Sequence, residues 1–76
     1  MNQQVYINIK RIRELKNFTR DFVADELNMS TSGYGKIERG EVDLTLSKLD
    51  KIATVLHVDI HFILRFDISK VFHLDE

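Results

Sequence analysis

Apolar residues at the start of the chain recur at the spacing of a helix. Residues 1–4 are polar, and we expect them to be frayed. A first helix is predicted after them, because the apolar residues of the next segment lie three or four positions apart: Val5, Ile9, Ile12 and Leu15. Phe18 precedes Thr19, a residue type that favours helix N-termini, so its ring is expected to reach the core as a hydrophobic staple.

Two short helices joined by a sharp turn are predicted for residues 19–40. The first begins at Thr19 and has an apolar face formed by Phe22, Val23 and Leu27. The second is predicted for residues 30–39, with Ser30 as its cap residue. Its inner side carries Tyr34 and Ile37, and its outer side carries Thr31, Ser32, Gly35 and Lys36.

The connection between these two helices consists of Asn28 and Met29 alone, so the chain must turn sharply there. Asn tolerates the left-handed conformation that such a turn requires. A tight helix pair whose second helix presents small hydrogen-bonding groups and a lysine fits the major groove of DNA. The stretch is therefore predicted to be a helix-turn-helix.

A fourth helix is predicted after Gly40, which is expected to end the third helix as a left-handed cap. Residues 41–44 follow as a loop, and Thr45 is the next cap residue. The segment after Thr45 has apolar residues at helical spacing: Leu46, Leu49, Ile52, Ala53 and Leu56.

Residues 58–68 fit two patterns. Alternating apolar residues are typical of a strand: Val58, Ile60, Phe62, Leu64, Phe66 and Ile68. Asp59 followed by Ile60, Ile63 and Leu64 instead indicates a capped helix. The apolar tail of residues 66–76 needs a surface to cover it, on this domain or on a second subunit, and is a candidate dimerisation element.

The length of 76 residues leaves room for one small domain, spanning residues 1–76. A core of that size is marginal, so we expect a homodimer. Cysteine is absent, which excludes disulfides, thiolate metal sites and cysteine nucleophiles. No leader peptide is recognisable and Arg65 interrupts the most apolar stretch, so we expect no membrane span and a cytoplasmic location.

Charge is distributed unevenly along the chain. The net charge of −1 by itself argues against a general nucleic-acid binder, because neutralisation of phosphates dominates such affinity. Residues 1–40, however, hold seven Lys or Arg against five acidic residues, whereas residues 41–76 hold four against seven. A mildly basic front suits a protein that presents one face to DNA, although ordinary mixed surface charge explains the difference equally well.

Residues along most of the chain match the pattern of one known family. In the helix-turn-helix these are Val23, Ala24, Leu27, Met29, Ser30, Tyr34, Ile37, Glu38 and Gly40. The matches before and after it are Ile9, Ile12, Arg13, Leu46, Leu49, Ile52, Ala53, Leu56 and Val58. In this combination the chain resembles the lambda-repressor-like, or Cro and xenobiotic-response-element, helix-turn-helix domain over about residues 7–64.

The resemblance implies a compact all-α domain of five helices, with the fifth over about residues 59–65. His57 stands where the family usually has a cap glycine, a substitution that histidine tolerates better than most residues. The resemblance also implies an inward-facing Arg13 that pairs with Glu38. A guanidinium and a carboxylate can satisfy each other with two hydrogen bonds, which would make this a structural ion pair between the first and third helices.

The resemblance further implies which residues meet DNA. Base contacts are expected from Thr31, Ser32, Gly35 and Lys36, with Gly33 on the same side, because lysine donates to guanine and hydroxyls serve either base type. Phosphate contacts are expected from the helix N-termini and from Arg20, Arg39 and Lys10. Arg20 replaces a glutamine that is common in the family, so its phosphate role is an expectation from its charge.

Two departures from the family pattern lower the expected affinity. Gly33 and Gly35 each cost about 1 kcal/mol of helix stability relative to alanine and supply no side chain that can read a base. The loop after the third helix carries Glu41 and Asp43, where a loop that grips phosphate would prefer cations. We therefore expect moderate affinity and a requirement for a dimer.

The leading hypothesis is a homodimeric, sequence-specific regulator that binds double-stranded DNA. The alternative is an antitoxin-like or adaptor protein that binds a toxin or another protein through its apolar tail. An enzyme is not expected, because no pairing of a nucleophile with a base is visible. His57 and His61 lie four apart but lack a third ligand, so neither a metal site nor a cofactor is expected.

Overall fold

The computed structural model describes the backbone of residues 1–72 and the side chains of residues 1–70. The described backbone forms six helices: α1 Gln3–Leu15, α2 Arg20–Glu26, α3 Thr31–Glu38, α4 Leu46–Leu56, α5 Ile60–Arg65 and α6 Ile68–Phe72. It contains no strand within residues 1–72, which confirms the predicted all-α fold. The end of the predicted tail, residues 73–76, lies outside the described residues.

Capping side chains fix where the central helices begin. Thr19 Oγ1 accepts a hydrogen bond from the Phe22 amide at 3.0 Å, and Ser30 Oγ accepts one from Gly33 at the same distance. Thr45 does the same for α4. Each oxygen satisfies a backbone N–H that has no partner inside its helix. The predicted starts of α2, α3 and α4 are therefore confirmed.

The chain start is more ordered than expected. The prediction that residues 1–4 are frayed is wrong for Gln3 and Gln4, which form the first turn of α1. The reason is a cap: the Asn2 side chain accepts a hydrogen bond from the Val5 amide at 3.2 Å.

Left-handed residues follow four of the helices, the first of them Asn17, which has φ 60° after α1. Asn28 has φ 57° after α2, Gly40 has φ 73° after α3, and His57 has φ 58° after α4, as the sequence predicted. A Cβ at position 40 would also lie 2.7 Å from Gln3 Oε1, so the Gln3 side chain would have to shift to admit another residue there. The turns between helices are thus set by single residues.

The His57 backbone gives a stability prediction. His57→Gly should raise the free energy of unfolding by about 0.5–1 kcal/mol, because a left-handed conformation costs a side-chain-bearing residue about that much. Thermal unfolding followed by circular dichroism measures the change. His57→Ala is the matched control, since it keeps the cost and loses the edge contact of the ring with Phe18 at 6.4 Å between centroids. A glycine variant no more stable than the alanine variant would contradict the prediction.

The core is built from all of the helices α1 to α5. Its most deeply buried large apolar side chains are Ile9, Ile12, Val23, Tyr34, Leu49, Ile52, Leu56 and Ile63. Three residues predicted on apolar faces are instead exposed: Leu15 at 41%, Phe22 at 40% and Leu46 at 65%. Leu46 is the first residue of α4, and side chains on a helix point toward its N-terminus, so Leu46 extends past the end of the core. Phe22 is covered on one side by Phe18, at 4.9 Å between ring centroids.

The ambiguous segment of residues 58–68 contains α5 and the first residue of α6 and no strand. Asp59 accepts a hydrogen bond from the His61 amide at 2.7 Å and begins α5. Asn8 on α1 donates its side-chain N–H to the Ile63 carbonyl at 2.8 Å, and both residues are buried. A carbonyl in the last turn of a helix has no partner within that helix, so Asn8 supplies the missing donor.

Part of the apolar tail packs on the domain itself. Phe66 is buried in the core, and Ile68 in α6 is partly buried against it. Phe62 and Leu64 on α5 stay 46% and 40% exposed. Over residues 1–72 none of the helices combines the length and apolar character needed to cross a membrane.

Candidate DNA interface

Helices α2 and α3 form a tight pair whose second member has distinct faces. The Met29 amide donates to the Ala24 carbonyl at 2.8 Å, which closes the turn between the helices. Tyr34 and Ile37 face the core, whereas Thr31, Ser32 and Lys36 are exposed on the opposite side of α3. The pair therefore has the arrangement of a helix-turn-helix, with a polar outer face on α3.

Two of the predicted base-contacting residues are open to an approaching ligand. Ser32 and Lys36 lie four residues apart on the exposed face, so they are neighbours on one side of α3. Within the described residues, Lys36 forms no salt bridge. Its ammonium group is thus available for a guanine or a phosphate.

Thr31 is also exposed, but its hydroxyl is already engaged. It donates a hydrogen bond to the Asp21 carboxylate across the gap between α2 and α3. The hydroxyl oxygen can still accept a hydrogen bond, for example from the amino group of a base. Asp21 is a residue that the sequence patterns did not single out, because nothing in them reveals a contact between the first turns of α2 and α3.

Gly35 is covered instead of exposed. The Arg39 guanidinium lies across it, so that a Cβ on Gly35 would be 3.1 Å from Nη1 of Arg39. The surface that a ligand meets at this position is therefore the arginine. Contact between Gly35 and a base stays a prediction, and it requires Arg39 to move. Gly33, on the other flank of the helix, is half-buried.

The three predicted phosphate contacts lie in different surroundings. Lys10 and Arg39 line one shallow groove between α1 and α3, so the structure brings them together. Arg39 is paired with Glu41, with 2.5 Å between Nε and Oε2. Arg20 is half-exposed and lies 3.3 Å from the Glu38 carboxylate. All three side chains are exposed.

Glu38 is the centre of a buried network. Arg13 donates to it twice, from Nε at 2.6 Å and from Nη2 at 3.2 Å, and the two side chains are only 8% and 2% exposed. The Tyr34 hydroxyl donates to the same carboxylate at 2.5 Å. The remaining Arg13 nitrogen, Nη1, donates to the Phe18 carbonyl at 2.7 Å. One carboxylate thus ties α1 to α3 and, through Arg20, to the start of α2.

The network has opposite effects on two titrating groups. Burial would by itself raise the pKa of Glu38, but hydrogen bonds from Arg13 and Tyr34 outweigh it and hold that pKa below its ordinary value. The pKa of Tyr34 is raised, first by burial and then by its hydrogen bond to Glu38. At neutral pH the carboxylate is therefore charged and the phenol neutral. Tyr34 and Glu38 lie four apart, a spacing that could have revealed their contact in the sequence.

Acidic residues border the exposed face of α3. Asp21 and Asp25 line a shallow groove between α2 and the start of α3, and Glu41 stands at the other end of the helix. Negative charge beside a DNA-facing helix opposes phosphate binding. The local charge thus agrees with the moderate affinity expected from the sequence.

Histidines and carboxylates do not gather into a metal site in the part of the chain that is described. No group of three potential ligands occurs within residues 1–72. His61 Nδ1 lies 2.9 Å from Asp59 at the surface of α5, whereas His57 is near the ring of Phe18.

Comparisons with known proteins agree with this geometry. A family model described as helix-turn-helix matches residues 9–63, which include α2 and α3. The chain is also 34% identical over 68 residues to a protein of Bacillus subtilis (strain 168) described as the SPbeta prophage-derived uncharacterized HTH-type transcriptional regulator YonR. That match covers 90% of this chain, which spans 62% of the length of the relative. No solved structure matches the chain significantly.

The range matched by the family model covers most of the chain. It includes the buried pair Arg13 and Glu38 and the exposed face of α3. The sequence resemblance is thereby confirmed. The protein belongs to the lambda-repressor and Cro-like helix-turn-helix family.

Proposed function

We propose that this protein is a transcription regulator that binds double-stranded DNA sequence-specifically, as a homodimer, with α3 in the major groove. The observation that carries the proposal is the outer face of α3, where Ser32 and Lys36 are exposed on a helix anchored from behind by Glu38. A rigidly held helix with hydrogen-bonding groups on its outer face is what direct base readout requires. Its proposed place of action is the cytoplasm.

The residues divide into two roles in this proposal. Thr31, Ser32 and Lys36 would meet base edges, and Gly35 would allow close approach once Arg39 moves. Lys10, Arg20 and Arg39 would hold phosphates on either side. Arg20 can leave Glu38 for a phosphate at small cost, because its contact is long and half-exposed and Arg13 continues to neutralise the carboxylate.

A homodimer would place two copies of α3 about 34 Å apart, in successive major grooves on one side of the DNA. Exposed Phe62 and Leu64 on α5 supply apolar surface for such an association. Two copies also double the number of phosphate contacts, which a chain of net charge −1 needs.

Lys36→Ala should weaken binding about tenfold on the preferred site and relax the preference at particular bases, because one base contact contributes about 1–3 kcal/mol of discrimination. Arg20→Ala should weaken binding to every sequence alike, because phosphates carry no sequence information. Fluorescence anisotropy measures both, with labelled DNA from upstream of the protein's own gene and a scrambled fragment, at low and near-physiological salt.

Lys51→Ala is the matched control for Lys36→Ala, since it removes an exposed lysine from α4, away from α3. It should leave DNA binding nearly unchanged. Circular dichroism must show that the Arg20 variant is folded, because that variant also loses a contact to Glu38. Equal effects of the Lys36 and Arg20 variants on all sequences would contradict the assignment of roles. Equal or absent binding of the wild type to both fragments at low salt would overturn the regulator itself.

The alternative of an antitoxin-like or adaptor protein rests on a different surface. Phe62 and Phe66 lie edge to face, with 5.6 Å between ring centroids, beside a mostly apolar groove that continues to α6. A protein partner that binds there would act through the α5–α6 surface instead of α3. A small toxin-like gene beside this one, and co-purification of the two products, would favour this function.

A further inference from the structure

The end of α3 holds Glu41 in a fixed position. The Gly40 amide donates to the Ile37 carbonyl at 2.9 Å, and the Glu41 amide donates to the Lys36 carbonyl at 2.9 Å. This pair of hydrogen bonds, with Gly40 in the left-handed conformation, is the Schellman motif. Glu41 is therefore placed beside the last turn of α3 by the backbone itself.

The Glu41 carboxylate is paired with the Arg39 guanidinium. Arg39 lies back across Gly35, the position on this flank of α3 that has no side chain to displace it. Its Nε donates to Glu41 at 2.5 Å. The two side chains remain 59% and 50% exposed, so the pair stands open to solvent and to any ligand that approaches α3.

We propose that Glu41 is an internal competitor for DNA, which occupies on Arg39 the place of a backbone phosphate and so holds down the affinity of the protein for DNA in general. The proposal rests on the proposed function, because it concerns how the same face of α3 meets DNA. A carboxylate and a phosphate bind a guanidinium through the same charge-assisted hydrogen bonds, so one can replace the other as the partner of Arg39.

Exchange between the two partners is easy on energetic grounds. Exposed ion pairs contribute little to stability, so DNA can displace Glu41 from Arg39. The displaced carboxylate stays close to the DNA, however, because the Schellman motif fixes its backbone, and there it repels the phosphates. The pKa of Glu41 lies below its ordinary value, first because of the hydrogen bond from Arg39, so the group is charged at neutral pH.

Glu41 also lies in the electrostatic field of Lys36, which contributes to the lowered pKa. Its negative charge therefore partly offsets two of the cations on the DNA-facing side of α3. Sequence-independent binding depends on such cations, whereas base contacts from Ser32 do not. The effect of Glu41 should thus appear mainly as weak, salt-sensitive attraction to any DNA.

Glu41→Gln tests this role, because it keeps the shape of the side chain and removes its charge. We expect about threefold to tenfold tighter binding to both the upstream and the scrambled DNA. The plot of log affinity against log salt should steepen by up to about one unit, because the variant brings one more net positive charge to the phosphates. Asp43→Asn is the matched control: it makes the same change of charge in the same loop, and within the described residues Asp43 forms no salt bridge.

A double-mutant cycle shows whether Glu41 acts through Arg39. In an Arg39→Ala background, Glu41→Gln should tighten binding no more than Asp43→Asn does, since there is no guanidinium to release. Anisotropy titrations of the full chain at several salt concentrations provide the affinities. Thermal unfolding should show both loop variants to be as stable as the wild type, because these side chains are exposed.

Several results would overturn the inference. If Glu41→Gln binds no more tightly than Asp43→Asn, or if its gain persists without Arg39, Glu41 is not a competitor for Arg39. Weaker and less selective binding of Glu41→Gln would mean instead that Glu41 supports Arg39 as a base-reading residue. If wild type and Glu41→Gln both fail to bind any DNA while folded, the proposed function fails as well. If the wild type binds DNA but the double-mutant cycle shows no coupling between Glu41 and Arg39, this inference alone is rejected and the proposed function stands.

Discussion

Glu38→Gln is expected to lower the free energy of unfolding at pH 7 by about 3 kcal/mol, the cost of breaking a buried ion pair by removing one partner. The substitution leaves the Arg13 guanidinium buried without its counter-charge. The glutamine amide also turns N–H donors toward a site where Arg13 and Tyr34 already donate. Urea denaturation followed by circular dichroism measures the loss.

The same substitution should change the response to acid. Because the pKa of Glu38 is lower in the folded protein than its ordinary 4.5, the carboxylate contributes stability that is complete above that value. This contribution is lost as the pH falls through the folded-state pKa. The wild type should therefore lose stability more steeply than Glu38→Gln below about pH 4.5. The urea midpoints of the two proteins should approach each other as the pH falls through that range.

Glu26→Gln is the control for both measurements, because it removes an exposed carboxylate from the last residue of α2. We expect less than about 0.5 kcal/mol of change from it, as for most surface substitutions. If Glu38→Gln were as stable as Glu26→Gln at pH 7, the Glu38 network would have no structural importance. If the free energy of unfolding fell with pH equally in wild type and Glu38→Gln, hydrogen bonds from Arg13 and Tyr34 would not be what lowers the pKa of Glu38.

Asn8→Ala is expected to cost about 2 kcal/mol, the second-largest effect on stability. It removes the donor to the Ile63 carbonyl and leaves that buried oxygen without a partner, which costs about 1–3 kcal/mol. A small cavity adds to this cost, whereas the better helix propensity of alanine returns about 0.5 kcal/mol. The unfavourable effects are larger, so the midpoint of urea denaturation should fall.

Gln4→Ala separates the two hydrogen bonds of the Asn8 amide. Gln4 donates to Asn8 Oδ1 at 3.0 Å but is itself exposed, so its loss should cost well under 1 kcal/mol. Hydrogen exchange of the α5 amides should quicken in Asn8→Ala and not in Gln4→Ala. Comparable effects of the two variants would mean that the bond to Ile63 does not hold α5 to α1.

Local patterns predicted most of the fold because its helix ends depend on neighbouring residues. The caps Thr19, Ser30 and Thr45 act within three residues of their own position, and Asn28 and Gly40 act on their own backbone. The helix within residues 58–68 could not be predicted from periodicity alone. Periodicity alone gave a strand as well as a helix, and the choice came from the family resemblance.

The details of the candidate site were less predictable because they depend on distant residues. The burial of Gly35 follows from where the Arg39 side chain lies, and the Thr31 hydroxyl is engaged by Asp21, ten residues away. The role of Asn8 depends on a carbonyl 55 residues further along the chain. Its place between Val5 and Ile12 on the apolar face of α1 was a signal, since a polar residue there needs a partner.

The convergence of donors from α1, α2 and α3 on the Glu38 carboxylate affects how the molecule opens. Arg13 also donates a hydrogen bond to the Phe18 carbonyl, in the connection between α1 and α2. Helix α2 is tied to Glu38 only by the half-exposed Arg20. Helices α1 and α3 cannot separate without leaving a charge unpaired in the core, so these two helices should open together as one cooperative unit. Helix α3 should then unfold only when the whole domain unfolds. Its exposed face is therefore formed in every folded molecule, and local unfolding of α3 does not lower the fraction of protein that is able to bind.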